Sequence, residues 1–464
     1  MNSYEDNTKL HSFARTANEM SVVPLRVLAL LVAALIYAVL SMDLITDLLG
    51  LAAYTLLLLG YLYLETRTLW TREPHLFWMN PVVLASMFTF VLSFGVTNIL
   101  FFIPDDLAAV VGMESIATRW TNKLMLLVVL GACSMWIGYS SNIGRSVGRM
   151  LQRSRLLCNL MSSSVRVNKL ALYVFIVISL IARLLAIKLE LYGYSSDYDR
   201  LIESANYREY LSMADSLGRL ALVGIAMHCF APPRVTIFDW LLLSLVLSYE
   251  VAFGFLSGFK SGVVMPFIIL GLAYYSQRGR FPRWLAPAIV VAVMAAYAVI
   301  EPFRVTRSQD AGFSGTSIGG IMTAIPSIDT ISLNDDSATP TWVLFLMRSN
   351  LTYVASLGIE YAANHELPEG SPEFLSNIIL APAHALIPRF LWESKSLQNI
   401  GLWYSSEVLE SSASSSTGMS AVTYLNFAGG PLAVIVGFLI VGIFQRGLFD
   451  GLRHFGGGGL IVLF

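Results

Sequence analysis

The chain has 464 residues, of which 56% are hydrophobic and only 13% charged, and its mean hydropathy is +0.65. That composition excludes an ordinary soluble domain and reads as a polytopic membrane protein. With 30 Lys and Arg against 31 Asp and Glu, the net charge of -1 leaves no basic footprint, and nucleic-acid partners are set aside.

A helix needs roughly 20 apolar residues to cross a hydrocarbon core of about 30 Å. By that measure spans are expected near 23–41, 45–64, 81–103, 122–139, 169–189, 212–230, 238–257, 262–277, 284–301 and 421–445. An eleventh begins at Gly456–Gly459 and is expected to run on past Phe464, where it is only about half the length a crossing requires. The expected fold class is therefore an all-α polytopic membrane protein of about 10–11 transmembrane helices. The first twenty residues are polar and the first apolar run leads into further spans, so an uncleaved first span is expected rather than a removable signal. Cys133, Cys158 and Cys229 lie in or beside apolar segments without metal-ligand spacing, and imply no disulfide framework.

The loop 140–168 carries Arg145, Arg149, Arg153, Arg155 and Arg166 with no Asp or Glu, which assigns it to the cytoplasm. Counting outward, the segments with Arg67 and Arg72, Arg234, Arg278 to Arg283, and Arg446 with Arg453 fall on the same side, as does the N-terminus. The loops 104–121 and 190–211, the turn at Phe259 and a long polar stretch fall on the other side. Three parts are expected: a transmembrane bundle over 1–301, a large late loop over 302–420, and late transmembrane helices over 421–464.

The 302–420 loop holds five cations, Arg304, Arg307, Arg348, Arg389 and Lys395, against eleven Asp and Glu. The cations are thus local features rather than part of a basic surface. Guanidinium forks match phosphate oxygens, and beside a bilayer they point to a lipid-linked pyrophosphate. Thr341–Ala363 is almost apolar enough to span, but Arg348, Asn350 and Glu360 interrupt it, and an unpaired arginine at mid-bilayer costs several kcal/mol. An amphipathic or re-entrant helix on the outer face is expected there, with a second short amphipathic helix over Glu373–Leu386 and a linker over Ser411–Ser416.

Each candidate has a plainer counterpart. Lys260, among Gly254, Gly258 and Gly262, is placed to hold a cation at the membrane surface, or is a snorkelling lysine. Arg304 and Arg307 share a helix face, aimed at a phosphate or at Glu301. Glu250 and Arg183 are ionisable groups inside spans, functional candidates by default, for which a mutual salt bridge serves almost as well. His384, five residues before Arg389, is a general-base candidate or a solvated loop histidine. Tyr194 belongs to a tyrosine-rich run, Tyr192–Arg200, suited to stacking on sugars or to an interfacial belt. No HExxH, P-loop or GxGxxG pattern is present, so neither a metal nor a cofactor is expected. No pair of matching broken helices, the mark of an inverted-repeat transporter, is visible.

Leu367-Pro368-Glu369-Gly370, then Ile387-Pro388-Arg389 with Trp392 and Lys395, resemble the outer loop of bacterial O-antigen and exopolysaccharide repeat-unit polymerases of the Wzy type. Tyr424-Leu425-Asn426-Phe427-Ala428-Gly429 resembles that family's entry to a late span. Glu393 and Ser396 stand where the family often has proline, and Lys260 where it commonly has arginine. The resemblance implies a large periplasmic loop and a metal-independent GT-C-type glycosyltransferase of the bacterial inner membrane, with no cofactor. Its donor and acceptor would both be undecaprenyl-pyrophosphate-linked oligosaccharides, and its further partners membrane lipids and a chain-length regulator protein. It assigns Arg389, Arg304 and Lys260 to the departing pyrophosphate, and Glu250 and His384 to proton transfer. Arg348, Arg307, Lys395, Trp392 and Tyr194 would bind substrate. The alternatives are an O-antigen ligase transferring glycan to lipid A core, and a flippase or transporter of lipid-linked sugars.

Overall fold

The structure, a computed structural model, describes residues 23–74, 77–102, 118–154, 169–189, 191–192, 205–231, 235–285, 287–296, 345–346, 349–368, 371–387, 392, 400–410 and 418–453. Among these residues there is no strand. Eight helices are long and apolar enough to cross a membrane. They are α1 (Val23–Ser41), α2 (Asp47–Arg72), α3 (Pro81–Phe102), α4 (Arg119–Ser140), α6 (Lys169–Lys188), α7 (Ala205–Phe230), α8 (Ile237–Leu256) and α13 (Ala421–Arg453). Between and after them lie α5 (Asn142–Arg153), α9 (Lys260–Arg278), α10 (Pro287–Ala296), α11 (Thr352–Asn364) and α12 (Phe374–Leu386).

The expected spans at 262–277 and 284–301 come out differently from the other eight. The first is the helix α9, whose Lys260 start and Ser276–Arg278 finish dilute its apolar middle; the second is described only as the short apolar α10. Helix starts follow from short polar side chains that satisfy the first free amides. Thr46 accepts from Leu49 N and Asn80 from Val82 N, while Thr118 with Thr121 and Thr236 with Asp239 form reciprocal capping boxes.

The helices form two groups. In the first, α13 lies along α4 and α5, while α1, α2, α3 and α11 close around α4. Lipid provides little apolar drive for helix association, so small residues that let backbones meet decide the packing. A Cβ on Gly138 would overlap the carbonyl oxygen of Leu439, and one on Gly442 the carbonyl oxygen of Met135. The contacts ascend together, from Gly131 at Phe438 to Gly148 at Asp450, so the two strips run parallel.

Two spans of this group are broken. In α3 a π-helical turn over Ser86–Leu92 gives way to a 3₁₀ turn over Val96–Phe102. Polar partners hold the break: Trp136 Nε1 donates to Ser86 Oγ at 3.1 Å, Asn98 Nδ2 to the Phe94 carbonyl at 2.7 Å, and Asn350 Nδ2 to the Thr97 carbonyl at 2.9 Å. Thr352 Oγ1 donates to Asn98 Oδ1 at 2.6 Å, which ties α11 to the same point. The expected surface helix at Thr341–Ala363 is thus more deeply seated than expected, for α11 buries Ala355 and Ile359 in the core. In α13 the break is at Gly429-Gly430-Pro431, where Gly430 has φ 67° and ψ -159°, a conformation that side chains forbid.

The second group is α6, α7, α8 and α9, with α7 packed on all three others. Met79, Leu272, Tyr275 and Phe449 form a small apolar cluster joining α9 to the first group.

Replacing Gly442 by leucine should cost about 3 kcal/mol or more, the upper range for overpacking, and abolish the monodisperse peak in fluorescence-detected gel filtration. Gly60→Leu, where nothing lies within 4 Å of the added Cβ, should leave that peak unchanged.

Candidate functional site

Four helices of the second group enclose a cavity of about 430 Å³, within the range of small-molecule sites. Its walls include Arg183 and Tyr192 from α6 and the chain just after it, Arg208, Asp215 and Arg219 from α7, and Glu250 from α8. Ser257 and Ser261 close it at the α8–α9 turn.

Arg183 organises the wall. It is 3% exposed, and its guanidinium donates through Nη2 to Glu250 Oε2 at 2.9 Å and through Nε to Asp215 Oδ1. The same cation lies over the rings of Tyr249 and Phe253, at 4.5 and 5.0 Å. Gly218 makes room for this network: a Cβ there would run into Glu250 Oε1 and Ser179 Oγ. Arg183 Nη1 and Glu250 Oε1 have no hydrogen-bond partner among the described residues, so the pair is not saturated. Tyr192 donates to the Phe253 carbonyl at 2.9 Å, and burial pushes its phenol well above the usual range, which keeps it a neutral donor.

Arg208, Ser212, Asp215 and Arg219 recur at helical spacing, so one stripe of α7 faces the cavity. Arg219 stands 3.7 Å from Asp215 and is half exposed, a loose pair. Arg208 is half-buried and has no hydrogen-bond or ion-pair partner among the described residues. Three guanidinium groups against two carboxylates leave the lining with one surplus positive charge. The first turn of α9 adds to it: Phe259 is the N-cap and supplies no side-chain acceptor, and Ser261 and Gly262 line the cavity. A helix N-terminus carries partial positive charge and outward-facing amides.

Of the residues singled out from sequence, the structure brings Glu250 and Arg183 into direct contact, and sets Lys260 at the first position of α9 between the lining residues Phe259 and Ser261. The turn there is tight because Gly254 and Gly262 touch backbone to backbone and Gly258 has φ 68°. His384 lies on α12, its ring 4.9 Å from that of Trp392, in the part of the fold that packs on α13 rather than on α8 or α9. Arg389, Arg304, Arg307, Arg348, Lys395 and Tyr194 lie outside the described residues. Sequence reading missed Arg208, Asp215 and Arg219; the spacing of Asp215 and Arg219 within the expected span was the available signal, whereas Arg208 fell in a stretch read as a loop. Among the described residues no three His, Cys, Asp or Glu side chains are grouped to hold a metal ion.

Arg183→Ala should lower stability by about 3–5 kcal/mol, because it strands two carboxylates inside the bundle. Arg219→Ala removes only a loose, half-exposed pair and should cost about 1 kcal/mol or less. Thermal unfolding in detergent checks the ranking, and equal melting points for the two variants would contradict it.

No curated protein and no solved structure matches the chain. One family's sequence model, described as Domain of unknown function (DUF8712), matches residues 198–462, from just before α7 to beyond α13. Since that match spans more than half of the 464 residues, the chain belongs to this family.

Proposed function

We propose that the protein is a membrane-embedded glycosyltransferase that joins lipid-pyrophosphate-linked oligosaccharide units, a repeat-unit polymerase acting at the periplasmic face of a bacterial inner membrane. The observation that carries this reading is the cavity among α6, α7, α8 and the α8–α9 turn, with its cation surplus and with Lys260 at its edge. An apolar bundle bears the cost of embedded charges where they serve a substrate or an ion path. The N-terminus is then cytoplasmic, because the arginine-rich α5 and the basic end of α13 pack together and define one side.

In the proposed reaction an acceptor sugar hydroxyl attacks the anomeric carbon of the donor. The bond from that carbon to the pyrophosphate oxygen breaks, its electron pair leaves with the pyrophosphate, and the hydroxyl proton passes to a carboxylate or histidine. Fixed cations stabilise the charge as it builds, and so favour the transition state over the ground state. Lys260, Arg304 and Arg389 are assigned to that charge, Glu250 and His384 to the proton. Trp392 and Tyr194 would contact sugar, with Arg307, Arg348 and Lys395 completing the contacts to substrate. Chain-length regulation would need a separate protein partner.

A second reading, a flippase or transporter of lipid-linked sugars, is favoured by the two broken spans, α3 and α13, since transporters build sites at interrupted helices. Deletion separates the two: cells lacking a polymerase still display a single repeat unit, whereas cells lacking a flippase display none. Arg389→Ala should abolish chain extension at normal expression and membrane insertion, and Arg389→Lys should rescue poorly because lysine lacks the bidentate fork. Wild-type chain lengths on a gel ladder from the alanine variant would remove Arg389 from the mechanism.

A further inference from the structure

Within the cavity wall the charges are not evenly spent. Arg183 is committed to Asp215 and Glu250, and Arg219 leans only loosely on Asp215. Arg208, one of the lining residues, is left with no partner among the described residues. A half-buried guanidinium with no partner among the described residues carries a desolvation cost, which a ligand anion would offset. The first turn of α9 lines the same cavity as Arg208, so the positive end of a helix dipole, the Ser261 hydroxyl and an arginine fork serve one space. Leu211, Met265 and Ala186 supply apolar lining beside them, so the space suits an amphiphile rather than a bare ion.

We infer that Arg208 and Arg219 of α7, together with the N-terminus of α9, form a binding site for the phosphate-ester anion of a membrane amphiphile, a prenyl diphosphate being the class that fits. The inference deepens the reading above and rests on it for the identity of the natural substrate, while the binding itself stands on the cavity alone. Arg183 is here a positioning residue, which fixes Asp215 and with it the side of α7 that carries Arg208 and Arg219. Among the described residues the phosphate competes with Asp215 for Arg219 and with no side chain for Arg208, so Arg208 dominates the affinity.

The test uses the full chain in nanodiscs of neutral phosphatidylcholine, titrated with farnesyl diphosphate, with inorganic pyrophosphate and with farnesol. Farnesyl diphosphate should bind and farnesol should not. Arg208→Gln should weaken farnesyl diphosphate at least tenfold, Arg219→Gln less, and the double variant should abolish binding. Arg208→Lys, which keeps the charge but loses the fork, should fall between wild type and Arg208→Gln, and it keeps the test decisive should the neutral variants not fold. Arg149→Gln, on α5, should bind as wild type does. Unchanged affinity in the folded double variant overturns the site. Pyrophosphate binding as tightly as farnesyl diphosphate overturns the assignment to a lipid. A parallel chain-extension assay keeps the two readings apart. Arginine-dependent binding without extension sinks the polymerase and leaves this site standing, whereas extension with unchanged binding in the double variant sinks the site alone.

Discussion

Everything distinctive about the second helix group depends on one cation, Arg183, being shared between carboxylates on two neighbouring helices. A charge inside an apolar bundle is tolerated only if it is paired and hydrogen-bonded, and Arg183 meets that demand with Glu250 on α8 and Asp215 on α7 at once. The bridge sets how three helices face one another, and Gly218 is the concession α7 makes to it. The bridge takes one oxygen of each carboxylate, and Arg208 and Arg219 of α7 line the same cavity. A structural ion pair and the proposed ligand site are therefore not alternatives here; the first would orient the helix that carries the second.

The first group also carries an ion pair, Arg26 of α1 to Glu65 of α2 at 2.6 Å, but its longest seam is closed by other means. Its α4–α13 seam is closed by glycines that bring backbones together, which suits a long parallel contact that must be held in one register. The two broken spans sit in this group, with α11 and α12 folded against it. The family match, residues 198–462, takes in α7, α8 and α9 of the second group and α11 to α13 of the first, but not α6 with its Arg183.

Legibility in the sequence followed the physics that decides each feature. Apolar length alone placed the eight crossing helices, because a bilayer imposes that length whatever the neighbours are. The pairing of Arg183 with Glu250 was also readable, since opposite charges buried within apolar spans have few other partners. Arg208 was not, because the stretch 190–211 reads as a loop and only the helix beginning at Ala205 turns Arg208 onto the same face as Asp215. The breaks in α3 were equally hidden. Ser86, Asn98 and Asn350 meet Trp136, Thr352 and Thr97, partners far away in sequence, and a single segment does not announce a tertiary hydrogen bond.

The Gly429-Gly430-Pro431 break bears on the choice between transferase and transporter. It falls immediately after the Tyr424–Gly429 run that resembles a polymerase motif, and the aromatic side chains of that run are engaged: Phe427 stacks on Phe374 at 5.1 Å and meets Trp403 edge-on at 5.6 Å. Those contacts fix the first segment of α13 to α12, while the second segment is fixed to α4 by its glycines. Both halves of the broken helix are thus clamped to different neighbours within one group. Transporters rock one bundle against another about a site at their interrupted helices, and a broken helix with both halves clamped inside one group does not lie between two such bodies, an arrangement that suits a fixed transferase scaffold better.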